Sequence, residues 1–336
     1  MELERIPFGR TGLTASIAGL GCGGYSRLGQ GSSHSEAQAE NVVRAAIDLG
    51  INFIDTSPSY ENEALVGRAI AGRRETIIVS TKFSTLNRDG AAIDGKAVRA
   101  SLEASLRRLG TDHVDVLAIQ SVTPRTYGHV VDAMLPTLEA LKSEGKLRAF
   151  GLTEWFYDDM GHEMASRAAT DGWWDYLLLG YNILNQSADT RVLPAAKANG
   201  MATAIMFAVR RALVSGEAFA SLVRALVQEG RLDAAELNLQ NPLGFLLEDG
   251  DCASLSEAAY RFVRHEAPAS VILTGTGNVR HLADNVRAIA APPLRPAHVA
   301  KLRAIFGALD SLTGQETVDG DGRIAKKHVP GKPKGH

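Results

Sequence analysis

The sequence predicts a (β/α)8 barrel, and three observations favour that fold. Short runs rich in β-branched residues alternate with amphipathic helical segments, which is typical of parallel strands joined by helices. Eight such units fit within 336 residues, and this number favours a closed barrel. Asp55, Lys82 and Gln120 also lie at the carboxyl ends of predicted strands, where barrels of this kind build their active sites.

A small hairpin is predicted before the barrel. The glycines of Phe8-Gly9-Arg10-Thr11-Gly12 suit a tight turn, so we expect a hairpin from Arg5 to Leu13 that plugs or edges the larger fold. The eight predicted strands then span Ile17 to Gly21, Phe53 to Asp55, Thr76 to Lys82, Val114 to Ile119, Ala149 to Leu152, Tyr176 to Leu179, Ala202 to Met206 and Val271 to Thr274.

The predicted helices mostly end near glycine or proline, as helices commonly do. They span Ser35 to Leu49, Ala97 to Leu109, Val130 to Ser143, Thr190 to Asn199, Leu255 to His265 and Val279 to Ala290. The stretch between Met206 and Ser254 has helical patches such as Ala218 to Glu229, and it predicts a structured loop over the barrel mouth. We assign residues 1–315 to one barrel domain and residues 316–336 to a flexible C-terminal tail, because the segment from Val318 lacks apolar periodicity.

The composition is that of an ordinary soluble globular protein, with 45% hydrophobic and 22% charged residues. A formal net charge of -2 gives no reason to expect nucleic acid as a partner. Cys22 and Cys252 are the only cysteines, which excludes a disulfide framework and a Cys-based zinc site. The N-terminal residues lack the apolar core of a signal peptide, and no later apolar run is long enough to span a bilayer. We therefore expect a cytoplasmic protein with no membrane or metal partner.

Asp55, Tyr60 and Lys82 form the most informative constellation. A phenol with a pKa near 10 is a poor acid at neutral pH. An ammonium that stabilises the phenolate, and that is itself held by a carboxylate, brings proton donation into range. These three residues therefore predict a proton-donating tyrosine, Tyr60, with an Asp55–Lys82 pair that tunes it. A purely structural ion pair is the alternative.

The chain resembles the aldo-keto reductases from Phe8 to about Leu312. The matching pieces, in order, are Gly19-Leu20-Gly21-Cys22-Gly23, the Asp55-Thr56 to Tyr60 segment, Ser80-Thr81-Lys82, Gly145-Lys146-Leu147-Arg148-Ala149-Phe150-Gly151-Leu152, Tyr181-Asn182, Thr274-Gly275-Thr276-Gly277-Asn278 and Asp284-Asn285. The resemblance implies a nicotinamide dinucleotide across the barrel mouth, with NADP(H) favoured and NAD(H) as the alternative. It implies hydride transfer to a carbonyl carbon while Tyr60 protonates the oxygen.

Gln120 departs from the family pattern, because a histidine usually occupies this position at the end of strand four. A glutamine amide can donate a hydrogen bond to a carbonyl oxygen, but it cannot carry a proton or a positive charge. We expect substrate orientation by Gln120 to survive and charge assistance to be lost. Weaker carbonyl reduction and altered chemistry are both compatible with this, and so is a polar residue at the rim without a catalytic role.

The resemblance also implies a set of cofactor contacts. Thr153 takes the place of a serine that grips the nicotinamide amide, while Glu154 replaces an asparagine and is either a cofactor contact, a group facing the substrate or a solvated loop charge. Leu178 stands where a glutamine is usual. Met206 or Phe207 stacks on the nicotinamide. The remaining candidates are Gly21, Cys22, Asp55, Arg210 on phosphate, Gly275, Thr276, either Arg280 or His281 on a 2′-phosphate, Asp284 and Asn285.

Tyr25 and Trp155, together with Phe156 and Phe207, are candidates for an aromatic substrate pocket, although such residues often only pack. With Tyr60 and Gln120 they would contact a small polar or sugar-like carbonyl or alcohol. The glycine run from Gly21 to Gly24 is attributed to close backbone approach to a ligand. A rival hypothesis is a regulatory barrel that binds cofactor but turns over poorly. A monomer and a small homo-oligomer are equally compatible with the sequence.

Overall fold

The protein is a closed barrel of eight parallel strands surrounded by helices, in a computed structural model that describes residues 3–32, 34–85, 93–235 and 237–325. An antiparallel hairpin of β1 (Arg5–Pro7) and β2 (Thr14–Ser16) precedes the barrel. The barrel strands are β3 (Ala18–Gly21), β4 (Phe53–Asp55), β5 (Ile78–Ser84), β6 (Val114–Val122), β7 (Leu147–Glu154), β8 (Tyr176–Gly180), β9 (Ala202–Met206) and β10 (Val271–Thr274). Because β10 pairs with both β9 and β3, the ring closes, and the predicted fold and its eight strands are confirmed.

The hairpin closes the amino-terminal end of the barrel. Phe8, in its turn, is fully buried, and its ring centroid lies 5.3 Å from that of Phe53 and 5.5 Å from that of Tyr176. The backbone amide of Arg10 donates to the carbonyl of Gly200, which fixes the hairpin against the loop before β9. The predicted hairpin is confirmed, and of the two predicted roles it plugs the barrel. The opposite end of the barrel is where the candidate site lies.

The strands divide the core into an inner and an outer part. Along β8, Tyr176 and Leu178 belong to the cluster inside the barrel, whereas Leu177 and Leu179 belong to the larger cluster between strands and helices. Side chains of a strand alternate between its two faces, so every barrel strand is buried on both sides. This explains why the strands read as nearly continuous apolar runs.

The helices are α1 (Glu36–Asp48), α2 (Glu63–Ile70), α3 (Gly95–Leu109), α4 (Pro124–Ser143), α5 (Glu163–Asp171), α6 (Ala188–Arg191), α7 (Leu193–Ala198), α8 (Gly216–Gln228), α9 (Phe245–Glu248), α10 (Leu255–Glu266), α11 (Val279–Ala290) and α12 (Pro296–Phe306). Ser35 and Thr123 begin α1 and α4 with capping boxes, which satisfy backbone amides of the first turn. Four helices in the described residues were not individually predicted from the sequence: α2, α5, α9 and α12.

The predicted helix from Thr190 to Asn199 is wrong as a single element. It is broken into α6 and α7 at Val192, whose φ and ψ are -125° and -54°. Pro194 lies in the first turn of α7, where it lacks an amide hydrogen to donate to Thr190 and its ring crowds the preceding turn. The proline therefore favours a new helix start over continuation.

The segment after β9 is structured, as predicted, and contains a 3-10 turn at Arg211–Leu213 followed by α8 and α9. The segment predicted as a tail begins with a small antiparallel sheet of β11 (Thr317–Val318) and β12 (Ile324–Ala325). Residues 326–336 lie outside the described residues, so the flexibility of the tail stays a prediction. No helix in the described ranges has the length and apolar character needed to cross a membrane.

We expect Phe8→Ala to lower the free energy of unfolding by about 3–5 kcal/mol, because it empties the plug between two buried rings. Phe8→Leu, which keeps most of the volume, should cost much less. Urea unfolding of both variants measures the difference. Equal stability of Phe8→Ala and the wild type would show that the plug does not hold the barrel.

Candidate active site

A buried ion pair joins two strand ends at the barrel mouth. Asp55 ends β4, and its Oδ2 accepts a hydrogen bond of 2.5 Å from Lys82 Nζ of β5. Lys82 also donates to the carbonyl of Thr56 at 2.9 Å, while Ser80 Oγ donates to Asp55 Oδ1 at 3.0 Å. Both charged side chains are almost fully buried. Such a pair is stable only when further hydrogen bonds satisfy its remaining groups, and here they do.

Tyr60 lies directly beside this pair, as the sequence predicted. It ends a 3-10 turn, Pro58–Tyr60, that Ser57 caps, and its ring centroid is 5.0 Å from Lys82 Nζ. A Cβ on Gly23 would lie 2.4 Å from Tyr60 Cζ, so the ring rests against bare backbone there. At Gly23 the close approach is to Tyr60, while the approach to a ligand predicted for the run from Gly21 to Gly24 stays a prediction. Any side chain at position 23 would displace the phenol.

The electrostatics keep Tyr60 protonated at neutral pH. Burial raises the pKa of the Tyr60 hydroxyl, the Lys82 ammonium lowers it, and Asp55 raises it again, with a net increase above the ordinary value. Burial works against the charge on Lys82, yet Asp55 and Tyr60 raise the pKa of Lys82 overall. The predicted tuning thus acts as a partial offset to burial and does not bring the pKa below that of a free phenol.

Gln120 lies at a backbone irregularity near the end of β6. The register between β6 and β7 shifts between Ile119 and Val122, and Ser121 has a left-handed φ of 59°. The Ser121 amide donates to Thr153 Oγ1 at 2.9 Å, and Ser57 Oγ donates to Gln120 Oε1 at 3.1 Å. A bulge re-aims a side chain at a strand end. Because the amide oxygen of Gln120 is engaged next to the Tyr60 turn, its NH2 group is the donor left for another partner.

Of the three alternatives for Glu154, the solvated loop charge is wrong, because the residue is buried. Its side chain is fully buried, with Oε2 at 2.8 Å from His162 Nδ1 and Oε1 accepting from the Gly180 amide at 2.6 Å. Burial raises the pKa of Glu154, and the neighbouring His162 opposes that increase. Both carboxylate oxygens are occupied behind the strand ends, so the structure does not present Glu154 as a free group.

An aromatic cluster forms one side of the mouth. Trp155 and Tyr157 have ring centroids 5.5 Å apart, and the Arg210 guanidinium lies 3.6 Å from the ring centroid of Phe207 and donates to the Tyr157 hydroxyl. Phe207, which follows β9, has a left-handed φ of 70°, a costly conformation for a bulky residue. Strain of this kind clusters at functional sites.

Four other positions singled out from the sequence differ in exposure. Phe156 is buried against Gly180 and stacks on His162, so it lies behind the open surface. Tyr25 is 64% exposed and Met206, at the end of β9, is partly exposed. Leu178 is buried inside the barrel. Of these four positions, Tyr25 and Met206 are accessible to a ligand.

The late loop between β10 and α11 carries the remaining predicted contacts. The side chain of Asn278 caps α11 by accepting hydrogen bonds from the backbone amides of Arg280 and His281. The side chains of Arg280 and His281 are both exposed. Asp284 pairs with Arg287, and Asn285 donates to Thr274 Oγ1 at 2.8 Å. A helix N-terminus flanked by cations is suited to a phosphate.

The end of β3 packs closely on the loop between β10 and α11. The carbonyl of Gly21 would lie 3.0 Å from a Cβ on Gly275, and Thr276 Oγ1 accepts from the Asn278 amide. Cys22 is fully buried, and burial raises the pKa of its thiol, so it packs as a core residue. Its backbone amide donates to the Asp55 carbonyl, which ties β3 to the ion pair.

The two ends of the barrel differ in which residue types adopt left-handed backbone. At the amino-terminal end, the turns before β4 to β9 use glycine for positive φ: Gly50, Gly72, Gly110, Gly145, Gly172 and Gly200. At the mouth, Gly24 and Gly29 also have positive φ, but among the described residues so do Arg27, Leu28, Glu61, Ser121, His162 and Phe207. Each of these residues other than glycine costs on the order of 1–3 kcal/mol, and such conformations persist only where the surrounding structure imposes them.

Three site residues were missed from the sequence. Asn62 accepts from Thr56 Oγ1 at 2.7 Å and donates to the Cys22 carbonyl at 2.8 Å, which joins the β3 and β4 ends. His162 holds Glu154, and Arg27 contacts the Tyr60 turn. Asn62 followed the Tyr60 motif by two positions and could have been suspected. His162 and Arg27 carry no local pattern that reveals their partners.

Comparison with known proteins gives one consistent result. A model of the Aldo/keto reductase family matches residues 19–306. L-galactose dehydrogenase of Arabidopsis thaliana is 34% identical over 158 residues, which are 45% of this chain and only 49% of that protein. Uncharacterized oxidoreductase YqkF of Bacillus subtilis is 23% identical over 310 residues, covering 90% of this chain and 96% of that one. Aldo-keto reductase AKR11C1 from Bacillus halodurans shares the fold, with a TM-score of 0.65 at 22% identity and coverage of 90% and 96%.

We expect Glu154→Gln to gain stability relative to the wild type as the pH rises. The raised pKa means that the folded protein holds this proton more tightly than the unfolded chain does. The contribution of Glu154 is therefore most favourable below its unfolded-state pKa, and it is lost as the pH rises through the folded-state pKa. Glutamine cannot ionise and removes this loss.

Urea unfolding at several pH values between about 4 and 8 measures the stability difference between Glu154→Gln and the wild type. Glu139→Gln, on the exposed face of α4, controls for the loss of one carboxylate. A difference for Glu154→Gln that stays constant with pH would contradict the raised pKa.

Proposed function

Because this chain belongs to the aldo/keto reductase family, we propose that it interconverts a carbonyl and an alcohol with a nicotinamide dinucleotide, using Tyr60 as the proton donor. The observation that carries this proposal is the buried Lys82–Asp55 pair next to a partly exposed phenol at the barrel mouth. The bound cofactor would supply or accept the hydride. The protein's own residues would hold the substrate and move the proton at Tyr60 Oη.

The electrostatics support a donor role for Tyr60. Its pKa lies above the ordinary value, so the proton is present when a carbonyl oxygen arrives. As that oxygen gains negative charge, the proton leaves Tyr60 and the phenolate that forms is stabilised by the Lys82 ammonium nearby. Asp55 keeps Lys82 charged and oriented. In the reverse direction the same phenolate would accept the alcohol proton.

Gln120 supports orientation of the substrate without acid assistance. Its amide oxygen is held by Ser57, the residue that also caps the Tyr60 turn. The free NH2 group can donate to a carbonyl oxygen that Tyr60 also contacts, but it adds no positive charge there. We propose that Gln120 fixes the angle at which the oxygen meets the phenol.

The residues around the mouth fit a nicotinamide dinucleotide, with NADP(H) favoured. Arg280 or His281, at the start of α11, would bind a 2′-phosphate. The guanidinium of Arg280 is better suited, because it can form two parallel hydrogen bonds to a phosphate. Thr153 retains a hydroxyl that can donate to the carboxamide, while Met206 or Phe207 would cover the nicotinamide ring. Further contacts are proposed for Gly21, Arg210, Gly275, Thr276, Asp284 and Asn285, whereas Cys22 is fully buried and is withdrawn as a contact.

The proposed substrate is a small polar or sugar-like molecule. L-galactose dehydrogenase, the relative matched over about half its length, supports this class by name. The polar Gln120 and Tyr60 would contact the reacting oxygen, and the exposed Tyr25 and partly exposed Trp155 would bound the pocket.

A second candidate function is a regulatory barrel that binds cofactor and turns over slowly. Three departures from the family pattern favour it. Glu154 is withdrawn into a buried pair with His162, Leu178 is apolar and buried, and Gln120 lacks a titratable proton. Fewer groups would then grip the carboxamide, and less acid assistance would reach the substrate.

The direct test is a fluorescence titration of the purified protein with NADPH and NADH, followed by a screen of carbonyls and polyols at the reduced-cofactor absorbance band. Binding with turnover supports the oxidoreductase and ranks the cofactors. Tight binding without turnover across the screen favours the regulatory role. If neither cofactor binds, the proposed function is wrong.

We expect Tyr60→Phe to lower turnover by about 10²–10⁴-fold with cofactor affinity kept, because it removes the proton donor. Tyr127→Phe is the matched control, since Tyr127 is a buried phenol in the helical layer that donates to Asp171. Steady-state kinetics and the cofactor titration measure both effects. Unchanged turnover in Tyr60→Phe would exclude its role as donor.

Gln120→His separates the two candidate functions. If the site is a weakened reductase, restoring a titratable ring at this position should raise carbonyl reduction by at least about 10-fold. If glutamine fits the geometry of its own substrate, the same change should reduce turnover of that substrate. Turnover that responds in neither direction would show that Gln120 is a rim residue without a role in the reaction.

A further inference from the structure

Arg27 makes two hydrogen bonds through one nitrogen, and both reach the Tyr60 turn. Its Nη2 donates to the backbone carbonyl of Tyr60 at 2.9 Å and to Glu61 Oε2 at 2.8 Å. Arg27 belongs to the loop after β3, whereas Tyr60 follows β4. The contact therefore ties the backbone of the proposed proton donor to a neighbouring loop of the mouth.

We propose that Arg27 is a positioning residue for Tyr60, an inference that rests on the proposed function. Arg27 acts on the backbone of Tyr60 and takes no part in proton transfer. Its effect is to fix the direction in which the phenol leaves the turn.

The Tyr60 carbonyl needs such a partner. Tyr60 ends a 3-10 turn, and the next residue, Glu61, is left-handed with φ 57°, so the chain turns away at this point. The last carbonyls of a helical turn have no partner within the turn, and cationic side chains commonly satisfy them. Arg27 caps the turn from outside, and its charge makes the bond stronger than one between neutral groups.

The loop that carries Arg27 is itself fixed. Leu28 is fully buried, and a Cβ on Gly277 would lie 2.3 Å from the Cα of Gly29, so the loop rests on the β10–α11 loop. Arg27 and Leu28 both adopt left-handed φ, at 43° and 59°. Two successive residues of this kind are unfavourable for ordinary side chains, which indicates that tertiary contacts impose the conformation.

Tyr60 is thus restrained on three sides. Gly23 backbone supports the ring, Lys82 lies beside the phenol, and Arg27 holds the carbonyl. The Arg27–Glu61 ion pair is exposed, with Glu61 at 77%, and exposed pairs contribute little. The bond to the Tyr60 carbonyl is therefore the contact that we expect to matter.

The test compares four variants in the full-length protein. Arg27→Ala should lower kcat by about 10–100-fold while the KM for cofactor stays within about 3-fold, because small misplacement of a reacting group has such effects. Arg27→Lys, which can still donate to the carbonyl, should recover most of the loss. Glu61→Gln removes only the ion pair and should stay within about 3-fold of the wild type.

Arg44→Ala is the matched control. Arg44 Nη2 likewise contacts one carboxylate, Glu40 at 2.6 Å, and one backbone carbonyl, Arg68 at 3.2 Å, but on the outer helices. Its kcat should be unchanged. If Arg27→Ala resembles Arg44→Ala, or if Glu61→Gln is as impaired as Arg27→Ala, the positioning role of the carbonyl bond is refuted.

A second measurement does not depend on turnover. With 13C-labelled tyrosine, the resonance of Tyr60 can be assigned among 7 tyrosines by its absence in Tyr60→Phe. Arg27→Ala should move or broaden this resonance, whereas Arg44→Ala should leave it unchanged. A wild type without turnover whose Tyr60 signal still responds to Arg27→Ala would refute the reductase and retain the positioning role. An unresponsive Tyr60 signal in a folded Arg27→Ala variant would refute positioning itself.

Discussion

The buried contact between Lys82 and Asp55 is the interaction on which the barrel mouth depends. Removing two charges from water costs several kcal/mol for each ion, and attraction repays this only when geometry and additional hydrogen bonds are good. Here Ser80 and the Thr56 carbonyl supply those bonds. They are in place because β4 and β5 pair in one register, with Asp55 opposite Ser80. The paired strands therefore fix the Lys82 ammonium, and Tyr60 lies beside it.

Backbone strain from left-handed φ at residues other than glycine is found at the mouth of the barrel. Turns at the amino-terminal end obtain positive φ from glycine, which pays no steric penalty. At the mouth, Arg27, Ser121 and Phe207 take the same conformation with full side chains. Glycine also supplies positive φ in the loop of Arg27, at Gly24 and Gly29. Tertiary contacts hold these strained residues, as in the bonds from Arg27 to the Tyr60 turn and from the Ser121 amide to Thr153.

The barrel could be predicted because its signal is local. Each strand is buried on both faces and reads as a short apolar run, and Asp55 and Lys82 were found because they stand at strand ends. Interactions across loops gave no such signal. His162, the partner of Glu154, has a left-handed φ, and no pattern in the sequence predicts that angle or the contact. The contact of Arg27 with the Tyr60 carbonyl depends in the same way on the path of its loop.

The departures from the family pattern do not all act at the same place. Glu154 and Leu178 are buried in the core, so in the proposed reaction neither would hold the cofactor carboxamide. Gln120 stays at the mouth, connected through Ser57 to the turn that carries Tyr60. In the proposed reaction, therefore, the proton donor keeps its support from several sides, while the group opposite it loses its charge. Because this site lacks a second charged group, its reaction would depend on accurate orientation of the carbonyl oxygen. A neutral amide such as that of Gln120 can orient a substrate that carries hydroxyl groups of its own.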